Sequence, residues 1–163
     1  MAGILRGFAA MIPGTISRGV DDIVISLRNA DTNNIVPGDA VFIKNDSNGM
    51  GCTRVQSNST AAQFIGIAVR VPDKTNETYG SNDPAPWKPG EPVDILVRGS
   101  VVVPTDYIAC TAGNTVHLNL ADGKYKAAAV SGETIELTNC HWRLPAASSN
   151  NRAEVVINTR NLV

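Results

Sequence analysis

The chain has 163 residues, with 14 Lys and Arg against 15 Asp and Glu and a net charge of -1. The basic residues are scattered and never form a run, which excludes nucleic-acid binding through phosphate neutralisation. This length fits one domain burying roughly 70% of its unfolded surface, and with 18% charged and 5% aromatic residues its surface must rely on Asn, Ser, Thr and Gly, a composition suited to packing against other proteins.

Residues 1–20 are read as an N-terminal arm. Leu5, Phe8, Met11 and Ile12 are its apolar side chains, but Gly3, Gly7, Pro13 and Gly14 oppose a stable helix. Arg6 and the same glycines interrupt any secretory core, and no later apolar run approaches the ~20 residues of a membrane span. The expectation is a chain that is neither exported nor membrane-bound. The arm either docks on a neighbouring protein or packs on its own domain.

A single β domain is expected over residues 21–163. The alternation of Ile23, Ile25 and Leu27 against Val24, Ser26 and Arg28 predicts a first half-buried strand from Asp21, closed by the turn-rich residues 29–34. Pro37, Gly38 and Asp39 then open a strand carrying Val41 and Ile43. Residues 45–60 read as a surface loop with one short strand at 52–55. Gly49, Met50 and Gly51 fall short of a dinucleotide-binding turn, since no third glycine opens a helix. Residues 64–70 form a compact strand in which Gly66 permits a bulge or a close backbone approach.

Residues 72–92 hold five prolines without periodicity, and loops of that length are functional or disordered. Trp87, between Pro86 and Lys88, has two readings: it fills a partner's pocket, or it pins its own loop to the domain. The stretch from Gly90 organises the rest. A glycine turn feeds Val93, Ile95 and Val97 on one face and Asp94 and Arg98 on the other, with Leu96 an exception on the polar side, and Val101 and Val103 continue before Pro104 stops pairing. The same grammar recurs at Gly38, Gly113 and Gly132. Thr105 to Thr111 has room for one helical turn. Val116, Leu118 and Leu120 form a further strand, Asp122 and Gly123 signal a hairpin returning over residues 125–130, and Ile135, Leu137, Trp142, Leu144, Val155 and Ile157 complete the pattern. The fold class is all-β: an antiparallel β-barrel or β-sandwich with an extended N-terminal arm and one long Pro-rich loop.

Chemistry is sparse. Cys52, Cys110 and Cys140 are an odd number at wide spacing, which argues for reduced thiols. His117 sits opposite a core face, and His141 beside Cys140 lacks further ligands at metal-site spacing. No nucleophile elbow occurs, and the carboxylates show no pairing that sequence can establish. A small trimeric β-barrel hydrolase of the dUTPase type fits by size, but its nucleotide motifs are not recognisable. No catalytic, metal or cofactor site is expected.

The stretches Phe64 to Arg70, Pro92 to Gly99 with the valines after it, Ala112 to Val116, and Arg152 to Ile157 resemble the capsid decoration or structural cement proteins of tailed bacteriophages, over roughly residues 35–160. The resemblance implies a β-rich protein, commonly trimeric, made in the host cytoplasm and seated on the outside of a virion shell. There it would bridge subunits of the major capsid protein and stabilise the shell. Leu5, Phe8, Met11 and Ile12 of the arm and Trp87 of the loop are then the candidate contact residues. Two other readings are a carbohydrate-binding β module, with Tyr79, Trp87 and Trp142 as its only available aromatic platform, and a tail or connector protein on the same scaffold.

Overall fold

The computed structural model describes residues 12–46, 49–71, 74, 85–105, 110–144 and 151–159; at 18–20 and 144 it describes the backbone alone. Among the described residues nine strands form: β1 (Ile16–Asn29), β2 (Ala40–Asp46), β3 (Gly49–Arg54), β4 (Phe64–Ala68), β5 (Pro92–Pro104), β6 (Thr115–Asn119), β7 (Tyr125–Lys126), β8 (Thr134–Leu144) and β9 (Arg152–Ile157). A 3-10 turn at Ala61–Gln63 leads into β4.

The glycine grammar is realised locally. Gly38, Gly90, Gly113 and Gly132 all have positive φ, and in each case a strand begins two residues later. Only glycine takes that backbone region without steric cost, so each unit turns and then extends.

The strands hydrogen-bond in the order β1-β3-β2-β4-β5-β9-β8-β6-β7, and β1 also pairs with β5, so the first five close into a cycle of pairings. All pairings are antiparallel except β1 with β3, which run parallel through Arg28 and Asn29. The purely antiparallel expectation is corrected at that point. A parallel pair needs a crossover, and here the intervening β2 hairpin supplies it. The all-β class holds, as one mixed sheet.

Two cores flank the central strands. One is lined by all five strands of the cycle, through Ile25 and Leu27 of β1, Val41 and Ile43 of β2, Cys52 of β3, Ile65 of β4, and Val93, Ile95 and Val97 of β5. The other lies between the opposite face of β2, β4 and β5 and the strands β6 to β9; Phe42, Phe64, Leu96, Leu118, Tyr125 and Trp142 are its large members. Successive residues therefore bury on opposite faces, as strands covered on both sides do. This explains Leu96: it is fully buried, in the second core, and the side that reads as polar is a second interior.

Gly66 provides both features anticipated for it. Val41 pairs with Gly66 and Phe42 with Phe64, so Ile65 is an extra residue. A Cβ on Gly66 would fall 2.1 Å from the Leu96 carbonyl oxygen. The bulge switches the parity of β4, so Phe64 and Ile67 face one core while Ile65 and Ala68 face the other.

Other expectations shift at their ends. β1 begins at Ile16, inside the stretch read as arm, and Ile23 is 38% exposed rather than half-buried. The hairpin turn at Asp122 and Gly123 forms, but its return strand is only the two residues of β7. There Asn119 Oδ1 accepts the Ala121 amide and Asp122 Oδ1 the Lys124 amide. Thr105 Oγ1 donates to the Tyr125 carbonyl at 2.8 Å. Residues 106–109 lie outside the described residues.

Candidate interaction surface

The arm has a fixed root. Thr15 N donates to the Ile12 carbonyl at 3.1 Å across Pro13 and Gly14, and Gly14 has φ +79°. Proline then glycine with positive φ is the signature of a type II turn, which reverses the chain. Gly14 also donates to the Val102 carbonyl, and its own carbonyl accepts the Arg70 amide, both at 2.8 Å. A Cβ on Gly14 would fall 2.4 Å from Pro37 Cβ, so no other residue fits unstrained. Of the four arm residues singled out, Ile12 is half-buried at this root, while Leu5, Phe8 and Met11 lie outside the described residues.

Next along the chain, β1 forms an open edge. It pairs with β5 over most of its length, but on its other side the described residues show a ladder only at Arg28 and Asn29. Between Arg18 and Ile23 the register with β5 slips, because the two face Ser100 and Arg98 with only Gly99 between these. The extra residues carry Asp21 and Asp22. A Cβ on Gly99 would land 2.0 Å from Asp22 Oδ1, so the glycine makes room for that carboxylate.

The slipped register opens a cleft of about 400 Å³ lined by residues that include Asp21, Asp22, Arg98, Ser100, Arg143 and Asn158. Arg98 pairs with Asp21 at the rim. On β9, Glu154 is 1% exposed; its Oε1 accepts the Ser17 hydroxyl at 2.6 Å and lies 3.9 Å from Arg143 Nε. Burial raises the pKa of Asp22 above the ordinary carboxylate range against the Ser100 amide, which lowers it, and Asp21 adds repulsion. The cleft mixes both signs of charge.

Trp87 has a clear place. It is 3% exposed, its backbone exchanges two hydrogen bonds with Ile35 at 2.8 and 2.9 Å, and its ring joins the five-strand core. Lys74 Nζ lies 5.6 Å from the ring centroid and 2.5 Å from Glu91 Oε2. The Lys74 hydrogen bond, with the Lys88 amide, holds the Glu91 carboxyl below its usual pKa. The indole is thus packed inside its own domain. Trp142 is 1% exposed in the other core, so neither tryptophan offers a sugar platform, and Tyr79 lies outside the described residues.

Cys140 is buried in the core, and His141 follows it on a strand, so their side chains leave opposite faces and cannot grip one ion. Among the described residues no group of His, Cys, Asp and Glu is placed to hold a metal. All three cysteines are buried, and burial raises the pKa of the Cys52 thiol to about 12.

Residues 4–158 match the family model described as structural cement protein (E217 gp24/Pam3 gp6). The chain belongs to that family. A chain of the solved capsid of Myoviridae phage XM1 superposes on this cement protein with a TM-score of 0.66 at 16% identity, covering 92% of this chain and 91% of that one. At that identity the likeness establishes a shared fold. No curated protein matches the chain. The cement protein is thus a structural component of a phage capsid, and no helix among its described residues is long and apolar enough to cross a membrane.

What the sequence missed is the open edge of β1 with its cleft. The signal was present in the adjacent Asp21 and Asp22 just ahead of the apolar Ile23, Val24 and Ile25, a pattern that marks a bulged, charged edge.

Proposed function

We propose that this cement protein sits on the outside of the shell and bridges neighbouring subunits of the major capsid protein, holding them against internal pressure. The observation that carries the reading is the family match across residues 4–158. The locked root supports its mechanism. A turn bonded to both β5 and Arg70 transmits load from the arm directly into the sheet, without a flexible hinge. Leu5, Phe8, Met11 and Ile12 fill apolar pockets on the shell while the arm's backbone adds to a neighbour's sheet edge. The protein works by adhesion and turns over no substrate.

Association into a homo-oligomer, with three copies the number implied by the resemblance, lets several arms engage at once. Avidity then multiplies a modest single contact. The test is removal of residues 1–11, which leaves Pro13 and Gly14 to complete the fold. Retention on purified shells should fall by at least tenfold while the melting temperature of the free protein stays unchanged. Full retention rejects the arm as the anchor.

A further inference from the structure

We propose that Tyr125 is the positioning residue of the arm: its hydroxyl holds the turn at Pro37 and Gly38 on which the arm's root is seated, and so fixes where the arm leaves the domain. The chain writes the same turn three times, at Pro13 and Gly14, at Pro37 and Gly38, and at Pro89 and Gly90. In each the glycine has positive φ and the next amide donates back across the pair, Thr15 to Ile12, Asp39 to Val36 and Glu91 to Lys88, at 3.0–3.1 Å. The third turn stands open, since a Cβ on Gly90 would meet nothing within 4 Å. The first two interlock. A Cβ on Gly14 would fall 2.4 Å from Pro37 Cβ, and one on Gly38 would fall 2.9 Å from Pro13 Cβ, so each glycine receives the other turn's proline. The interlock belongs to the root and is no general consequence of proline followed by glycine.

The seat is held from three sides. Asp39 Oδ2 accepts the Val36 amide at 2.9 Å and lies 3.0 Å from Arg54 Nε of β3. Gly38 donates to the Ala68 carbonyl of β4 at 2.8 Å. From the far sheet, the Tyr125 hydroxyl of β7 donates to the Gly38 carbonyl at 2.9 Å. Tyr125 is fully buried, and burial raises its phenol well above the ordinary value, so the hydroxyl keeps its proton and stays a donor. The Tyr125 backbone is fixed in turn by Thr105, which bridges to it at the end of β5. This accounts for a strand of only two residues: β7 returns the chain just far enough to deliver one ring to a turn 87 positions away. Removing the hydroxyl takes the donor from a buried carbonyl, and the loss falls on the residues that seat Pro13.

Hydrogen exchange on Tyr125→Phe, which keeps the ring, tests this in the free full-length protein. The amides of Gly14 and Thr15, bonded to Val102 and Ile12, should exchange about tenfold faster or more, while amides of the β2–β3 ladder change less. Unchanged exchange at Gly14 and Thr15 overturns the proposal, and so does equal acceleration there and in the ladder, the mark of a loss spread over the whole fold. The consequence on shells rests on the arm being the anchor: Tyr125→Phe should lower retention of the full-length protein and add nothing once residues 1–11 are removed. Wild-type retention by Tyr125→Phe, on shells that release the protein lacking residues 1–11, also overturns it. If that shortened protein is itself retained, the arm reading fails, and exchange at Gly14 and Thr15 still decides for or against Tyr125.

Discussion

Replacing Trp87 by alanine separates its two possible roles. The ring is 3% exposed in the five-strand core, against Ile35 and the β5 valines. Deleting a buried tryptophan costs about 3–5 kcal/mol in transfer and cavity terms. The Lys74 cation adds about 0.5–1 kcal/mol at a site this exposed. For a chain of this size each kcal/mol shifts the midpoint by about 2–4 °C, so Trp87→Ala should melt roughly 7–24 °C lower. Urea unfolding of the isolated protein, followed by circular dichroism, measures the free energy directly. Trp87→Phe should recover more than half of the loss. A Trp87→Ala protein within about 1 kcal/mol of wild type, yet unable to stay on shells, would refute the placement and return the indole to a partner's pocket.

Gly66→Ala should destabilise by about 1–3 kcal/mol, because the methyl group meets the Leu96 carbonyl at 2.1 Å and β4 and β5 must part; urea midpoints check this. Asp31 is 7% exposed: burial raises its pKa, but the Thr53 hydroxyl and the Asn33, Arg54 and Thr32 donors outweigh burial and hold it below the usual value. Its contribution is therefore present above the unfolded pKa and lost as pH falls through the lower folded one. Asp31→Ala should cost about 1–3 kcal/mol at pH 7, and the gap to wild type should close below about pH 4; equilibrium unfolding across that range reads it. Native protein at pH 8 should resist iodoacetamide at Cys52, whose thiol burial holds at about 12, and react at three cysteines once denatured, as intact mass will show.

How much was legible in the sequence depended on the range of the interaction. The turn-to-strand units at Gly38, Gly90, Gly113 and Gly132 are local, set by backbone sterics, and each strand starts where its glycine places it. Leu96 was unreadable for the opposite reason. One strand shows which residues alternate but not whether its second face meets water or another layer, and β2, β4 and β5 have layers on both sides. The parity switch at Ile65 hides the same way, since a bulge exists only relative to a partner strand. Trp87 and Ile35 are 52 positions apart, and nothing near either announces their bridge. The edge of β1 was the hardest feature: a strand becomes an edge only by what fails to pair with it.

The central claim, that this chain reinforces a capsid by adhesion, is tested most directly on shells stripped of it. Purified protein is added back, its position determined by electron cryomicroscopy, and the temperature of genome release measured. Density on the outer surface spanning adjacent major capsid subunits, with release at a higher temperature than from bare shells, is the predicted result. Density confined to the tail or connector, or an unchanged release temperature at full occupancy, contradicts it.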